Sequence, residues 1–272
     1  MKKFELTEET KYYFGRTFFR IVALVDIPDL SVVRGHKGGW VESESCLSHQ
    51  GDCWVKNDAM IEDGSTVSGD AVITGSAYVG NNSSVSGYAI VDGDARVLTS
   101  RIYEQALIDD SARVENSSIL GRATIKGNAI VKDSRIATEV IIDENASVQC
   151  SELLGLERSA ISGQGKVENL TITSGNPVKD LYITGNSEVH DVTISGLRIE
   201  IKDDASISNS TIEGKDIRLY GFSRIEKGVA LYDNCNIGGF TTITLDGWGN
   251  ELDNITLDTD MKITMENYHL LR

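Results

Sequence analysis

The sequence predicts an all-β protein: a single-stranded parallel β-helix of triangular cross-section, with an N-terminal β cap. Two observations carry this. Aliphatic residues stand at Val55, Ile61, Val67, Ile73, Val79, Val85, Val91 and Val97, six residues apart each time. Six is a multiple of the two-residue period of a strand and not of the 3.6-residue period of a helix. The segments are therefore extended, and something turns the chain between them. The ladder continues through Ile102, Ile108, Val114, Ile119, Ile125, Val131, Ile136, Ile142 and Val148, with steps of 5, 6, 6 repeating. A short step at every third side makes one turn three sides and 17 or 18 residues.

The positions between the anchors complete the pattern. Two residues after successive anchors stand Asn57, Asp63, Gly69, Gly75, Asn81, Gly87 and Gly93. These types tolerate positive φ best, so this slot is a tight corner. Two residues before the anchors stand small residues, from Cys53, Ala59 and Ser65 to Ala89 and Ala95. They share the anchor's side of the strand, so each side points one small and one large residue inward.

In chain order, residues 1–45 do not repeat. Thr17 to Ile27 is apolar and β-rich, and Gly35 to Val41 (GHKGGWV) is a glycine-rich turn leading into Trp40. A solenoid needs its open end covered, and this segment is the expected N-terminal cap. Residues 46–245 form the β-helix. Its rhythm loosens after Val148, with a loop near 174–180 at Ser174-Gly-Asn-Pro177, and resumes at Val189. Residues 246–272 are expected to close the C-terminal end with cap strands at Ile255–Leu257 and Lys262–Met265. Only two prolines occur, which suits strands that donate to a ladder on both edges.

The stretches VALVDIP, GGWVESE and LSHQGDCWV, between residues 20 and 60, resemble the start of YdcK-like proteins. Those are bacterial and phage-borne hexapeptide-repeat β-helix proteins that carry an acyltransferase label. The resemblance implies the left-handed coil of the hexapeptide-repeat class. Spacing alone does not give handedness, and a left-handed crossover departs from the general rule.

The formal net charge is −15, which argues against general binding to nucleic acid or to anionic membranes. The four cysteines have no metal-type spacing. Cys53 and Cys235 fall in the small inward slot and are expected as buried thiols, while Cys46 and Cys150 have no assigned place. A reduced, cytoplasmic setting is expected. No signal peptide or apolar run long enough to span a membrane is read, and no metal site is expected.

Residues immediately before the anchors point outward, and threading the anchors in threes sorts them into walls. The first wall carries Trp54, Val72, Ile90, Leu107, Thr124 and Ile141, with Tyr182 extending the row. The second carries Met60, Tyr78, Arg96, Arg113, Ile130 and Ser147, and the third Thr66, Ser84, Arg101, Ser118, Arg135 and Glu152. An apolar outward row needs a cover. The N-terminal segment, a second copy and a foreign protein are the three candidates. The predicted partner-binding residues are accordingly Trp54, Val72, Ile90, Leu107, Ile141 and Tyr182.

These features predict a non-catalytic, acidic scaffold that self-associates or docks on a protein, without a cofactor. The alternative is an acyltransferase using acetyl-CoA or another acyl-CoA. The resemblance to the hexapeptide-repeat class implies a histidine general base and a cleft between prisms. His36, His49, His190 and His269 are the four histidines, and none sits in a recognisable acyltransferase motif. A nucleic-acid charge mimic is a second alternative. It needs long acidic rows, which Arg96, Arg101, Arg113 and Arg135 interrupt.

Overall fold

A computed structural model describes residues 1–137, 139–149, 151–154, 156–157, 159–164, 166–168, 178–179, 181–183, 188–189, 193–195, 199–208, 211–213, 217–226, 229–232, 235–244, 250–253, 255–257 and 262–264. The fold is all-β, with parallel sheets stacked as a β-solenoid. The chain forms two compact units, Met1–Asn128 and Ala129–Arg272.

In the first unit every predicted anchor is the inward residue of a short strand and is fully buried, and the small residues two positions earlier are buried with them. Strands stack in parallel and in register. On the first wall Trp54 pairs with Val72, Val72 with Ile90, and Ile90 with Leu107. On the second wall Met60 pairs with Tyr78, Tyr78 with Arg96, and Arg96 with Arg113. Thr66, Ser84, Arg101 and Ser118 follow one another on the third.

The corners adopt the left-handed region, as at Asn57 (φ 53°), Gly87 (φ 71°) and Thr99 (φ 51°). One expectation shifts. After Ile61 the left-handed residue is Gly64 (φ 82°), three positions on, and not Asp63. Asp63 instead accepts from the Ser43 and Ser45 hydroxyls, which joins the corner to the chain entering the solenoid.

The small slot leading into the third wall holds serine at turn after turn, for a reason the spacing did not reveal. The Ser83 N–H donates to Ser65 Oγ (3.1 Å), Ser100 N–H to Ser83 Oγ (3.1 Å), and Ser117 N–H to Ser100 Oγ (3.0 Å). Each of the last three hydroxyls donates in turn to a nearby carbonyl: Ser83 to Gly80, Ser100 to Leu98 and Ser117 to Glu115. Each hydroxyl thus supplies an acceptor for the main chain of the next turn, at the six-residue corner before Val85 as well as at the five-residue corner before Ile102. Ser100→Ala leaves the buried Ser117 N–H without that acceptor. The expected loss is about 1–3 kcal/mol, read as a lower denaturant midpoint with an unchanged slope.

The N-terminal cap contains β1 (Phe4–Tyr13), β2 (Arg16–Ala23) and β3 (Lys37–Val41). β1 and β2 form an antiparallel hairpin, β3 pairs antiparallel with β2, and Trp40–Val41 of β3 pair in parallel with Met60–Ile61. The cap sheet therefore continues the second wall. The glycines of GHKGGWV split into two roles. Gly35 (φ 87°) is the turn, whereas Gly38 and Gly39 lie within β3. A Cβ on Gly38 would stand 2.7 Å from the Val55 carbonyl oxygen, and one on Gly39 2.6 Å from that of Ala59. They are small because β3 crosses closely over the first turn, so the expected simple turn extends only to Gly35.

Lys3 is buried and spends its ammonium on neutral acceptors, the Gly51 and Cys53 carbonyls (2.9 and 2.8 Å) and Cys53 Sγ (3.2 Å). Arg16 bridges Glu42 (3.1 Å) and Glu62 (2.7 Å), and fastens the hairpin to the first turn.

The second unit also has three walls. One runs through Ile130–Lys132, Ser147–Gln149, Lys166–Glu168, Glu188–Val189, Ser206–Ile207, Arg224–Glu226, Thr242–Thr244 and Lys262–Thr264. Another runs from Val140–Ile142 to Thr256–Leu257. The remaining wall is interrupted: Arg135–Ala137 pairs with Glu152–Leu154, Leu156–Glu157 with Val178–Lys179, and a separate set begins at Thr193–Ser195. Val178–Lys179, placed in the predicted loop, is thus a strand, while residues 174–177 lie outside the described residues. Thr256–Leu257 and Lys262–Thr264 continue the walls in register as further rungs, where separate cap strands were expected.

Candidate functional site

The outward row of the first wall begins beneath the cap. Trp54 is only 1% exposed, with Phe4 packed edge-on against its ring at 6.4 Å between centroids. Phe4 is fully buried and stacks on His49 as well (4.5 Å). The chain's own N-terminus covers this position, so Trp54 is withdrawn as an exposed partner-binding residue. The reason is the placement of Phe4 on β1, which nothing in the repeat signals.

Beyond Trp54 the row emerges. Val72 and Leu107 are half-buried, and Ile90 between them is 40% exposed. In the second unit Ile141 is 44% exposed, and its partner along the wall is Ala160. Tyr182 stands in the strand Leu181–Ile183, where it pairs with Ala160 and Glu200, but its side chain lies outside the described residues. Further along this wall come Arg218 and Asn236, so the outward row turns polar.

The hairpin lies over the second wall. Phe18, Trp40 and Met60 form a buried cluster, and Tyr13 and Tyr78 pack against it. Tyr78 donates to Glu62 Oε2 (2.5 Å). Burial and this carboxylate push the Tyr78 phenol well above its ordinary range, so it stays a neutral donor. Strands of ten and eight residues outrun the two- and three-residue strands of the wall below them, and the hairpin end overhangs the next turns. There Arg96 donates to the Tyr13 hydroxyl (3.2 Å). A cleft of about 530 Å³ opens beneath the overhang.

Two outward arginines are matched locally. Arg113 pairs with Glu115, and Arg135 with Glu152 (3.0 Å). His49 is engaged on both ring nitrogens: Nδ1 accepts from the Lys3 N–H (3.2 Å) and Nε2 lies 2.8 Å from Glu44. That geometry makes it an anchor of the N-terminus and leaves no nitrogen for a substrate proton. His36 is exposed on the cap, and His190 and His269 lie outside the described residues. Cys46 and Cys53 are buried free thiols, and burial pushes both above the usual thiol range; Cys235 is buried as well. Cys150 lies outside the described residues. Among the described residues no cluster of His, Cys, Asp and Glu is arranged to hold a metal ion, and no helix is long and apolar enough to cross a membrane.

No family model and no curated protein matches the chain.

Proposed function

We propose that the protein is a non-catalytic scaffold that associates with a second copy of itself through the outward row of the first wall. The observation that carries this is the break in cover along that row. The N-terminal segment shields Trp54 at 1% exposure and leaves Ile90 at 40%, with Val72 and Leu107 half-buried on either side. In-register β-sides present these side chains as a flat apolar strip, the shape that a like strip covers best. A stable interface needs about 800 Å² from each partner. The row supplies its centre, and the polar residues of the flanking corners would form its rim.

A cytoplasmic location fits the buried free thiols. The resemblance of residues 20–60 to YdcK-like proteins supports a left-handed coil, and the self-association common in the hexapeptide-repeat class.

Light scattering on the eluting protein tests the proposal. The wild type is expected to elute as a dimer or higher oligomer. Ile90→Glu with Leu107→Glu is expected to elute as a folded monomer, because two desolvated carboxylates without partners cost several kcal/mol at an interface. A monomeric wild type at about 100 μM, well above the micromolar affinity of a specific weak interface, contradicts it.

A further inference from the structure

We propose that the cleft between the β1–β2 hairpin and the second wall binds a small molecule carrying a carboxylate or phosphate on an aromatic or aliphatic body. Two remote parts of the chain build this cleft. The hairpin contributes Lys11 and Tyr13, and four successive turns contribute Met60, Tyr78, Arg96 and Arg113 from the wall, with Ser76, Asp94 and Ser111 from the corner before it.

The chain carries 41 acidic against 26 basic side chains, yet three cations and one carboxylate meet in this space. Lys11 is held loosely by Asp58 at 3.9 Å and leans over the Trp40 ring, and Arg113 is neutralised by Glu115. Arg96 differs. It donates to the Tyr13 hydroxyl, which carries no charge. A guanidinium has five N–H donors in a planar fork that matches a carboxylate or phosphate. One is spent on Tyr13, and that bond also fixes the direction of the side chain, so part of the ordering cost of binding is met in advance.

The floor of the cleft is apolar and aromatic. Met60 belongs to the cap cluster and Tyr78 packs against it, and Tyr13 lies 6.0 Å from Tyr78 between ring centroids. They give a rigid apolar and aromatic surface beside the fork. Clefts that join an apolar lining to a few placed polar groups are the usual form of small-molecule sites. Asp94 stands at the side of the same space. It would repel a ligand with a second anionic group, and it can accept from a hydroxyl or amine, so the expected ligand carries one anionic group. Binding at the second wall is independent of self-association through the first.

Calorimetric titration of the full chain with benzoate, phenyl phosphate, inorganic phosphate and benzyl alcohol tests it. Saturable one-to-one binding of benzoate or of phenyl phosphate is expected, and which of them binds tells carboxylate from phosphate. Inorganic phosphate and benzyl alcohol should each bind at least about tenfold more weakly, since each lacks one half of the recognised structure. Arg96→Gln, an exposed change whose fold circular dichroism verifies, should weaken binding by about tenfold or more. Arg101→Gln, on the third wall, should leave it unchanged. No saturable heat from either organic anion at about 10 mM, equal binding of inorganic phosphate, or an Arg96→Gln protein that binds like wild type would each overturn the proposal.

Discussion

Val85→Asp is expected to abolish cooperative folding of the unit Met1–Asn128. Val85 is fully buried, stacked between Val67 and Ile102 on the third wall. All three side chains point to the axis of the turns, where neighbouring walls supply only aliphatic and small residues. A carboxylate there has no partner and no water. It must be protonated or left as a buried charge, at a cost of several kcal/mol. That is comparable with the whole stability of a domain, about 5–15 kcal/mol. Solenoid turns are stabilised only by their neighbours, so the break cannot be bypassed from elsewhere in the stack. Circular dichroism should show a depressed or absent melting transition. A melt like that of wild type would place Val85 outside the core.

Phe4→Ala is expected to cost about 3–5 kcal/mol, the usual penalty for removing a buried phenyl ring. Phe4 touches His49 and Trp54 and is fully buried, and the adjoining Lys3 is tied to Gly51 and Cys53. The loss should therefore be local before it is global. The N-terminal strand loosens, and Trp54 loses its cover. Acrylamide quenching of tryptophan emission should increase below the melting temperature, while far-ultraviolet dichroism is retained. The variant should also sharpen self-association, since freeing Trp54 lengthens the apolar row. Unchanged quenching would mean that some other group shields the ring.

The core of this fold was legible because it repeats. Each anchor from Val55 to Val148 occupies the buried place that its spacing assigns, and the 5, 6, 6 rhythm corresponds to the three walls. Repetition turns a weak two-residue signal into a strong one. The cap was legible only as a cap. β1 (FELTEETKYY) has four charged residues and no clean alternation, and a register shift between Leu6 and Thr10 disturbs what alternation there is. Its structure follows from long-range pairing with β2, which no local pattern encodes. The same gap explains the candidate site. The outward row was readable residue by residue, but the shielding of Trp54 and Met60 depends on where Phe4 and Phe18 land. The overhang that makes the cleft at Arg96 depends on the length of the hairpin. The serines leading into the third wall were visible as small residues, while their hydrogen-bonding role needed the stacking of successive turns in three dimensions.

The most direct measurement for self-association is photo-cross-linking from position 90. A benzophenone side chain placed there, with a matched control at position 101 on the third wall, reports what lies against each wall in solution. The account predicts a dimer-mass product from position 90, with adducts mapping to the first wall of the second copy around Val72 to Thr124, and little product from position 101. Equal products from both positions, or none of dimer mass from position 90, would contradict it.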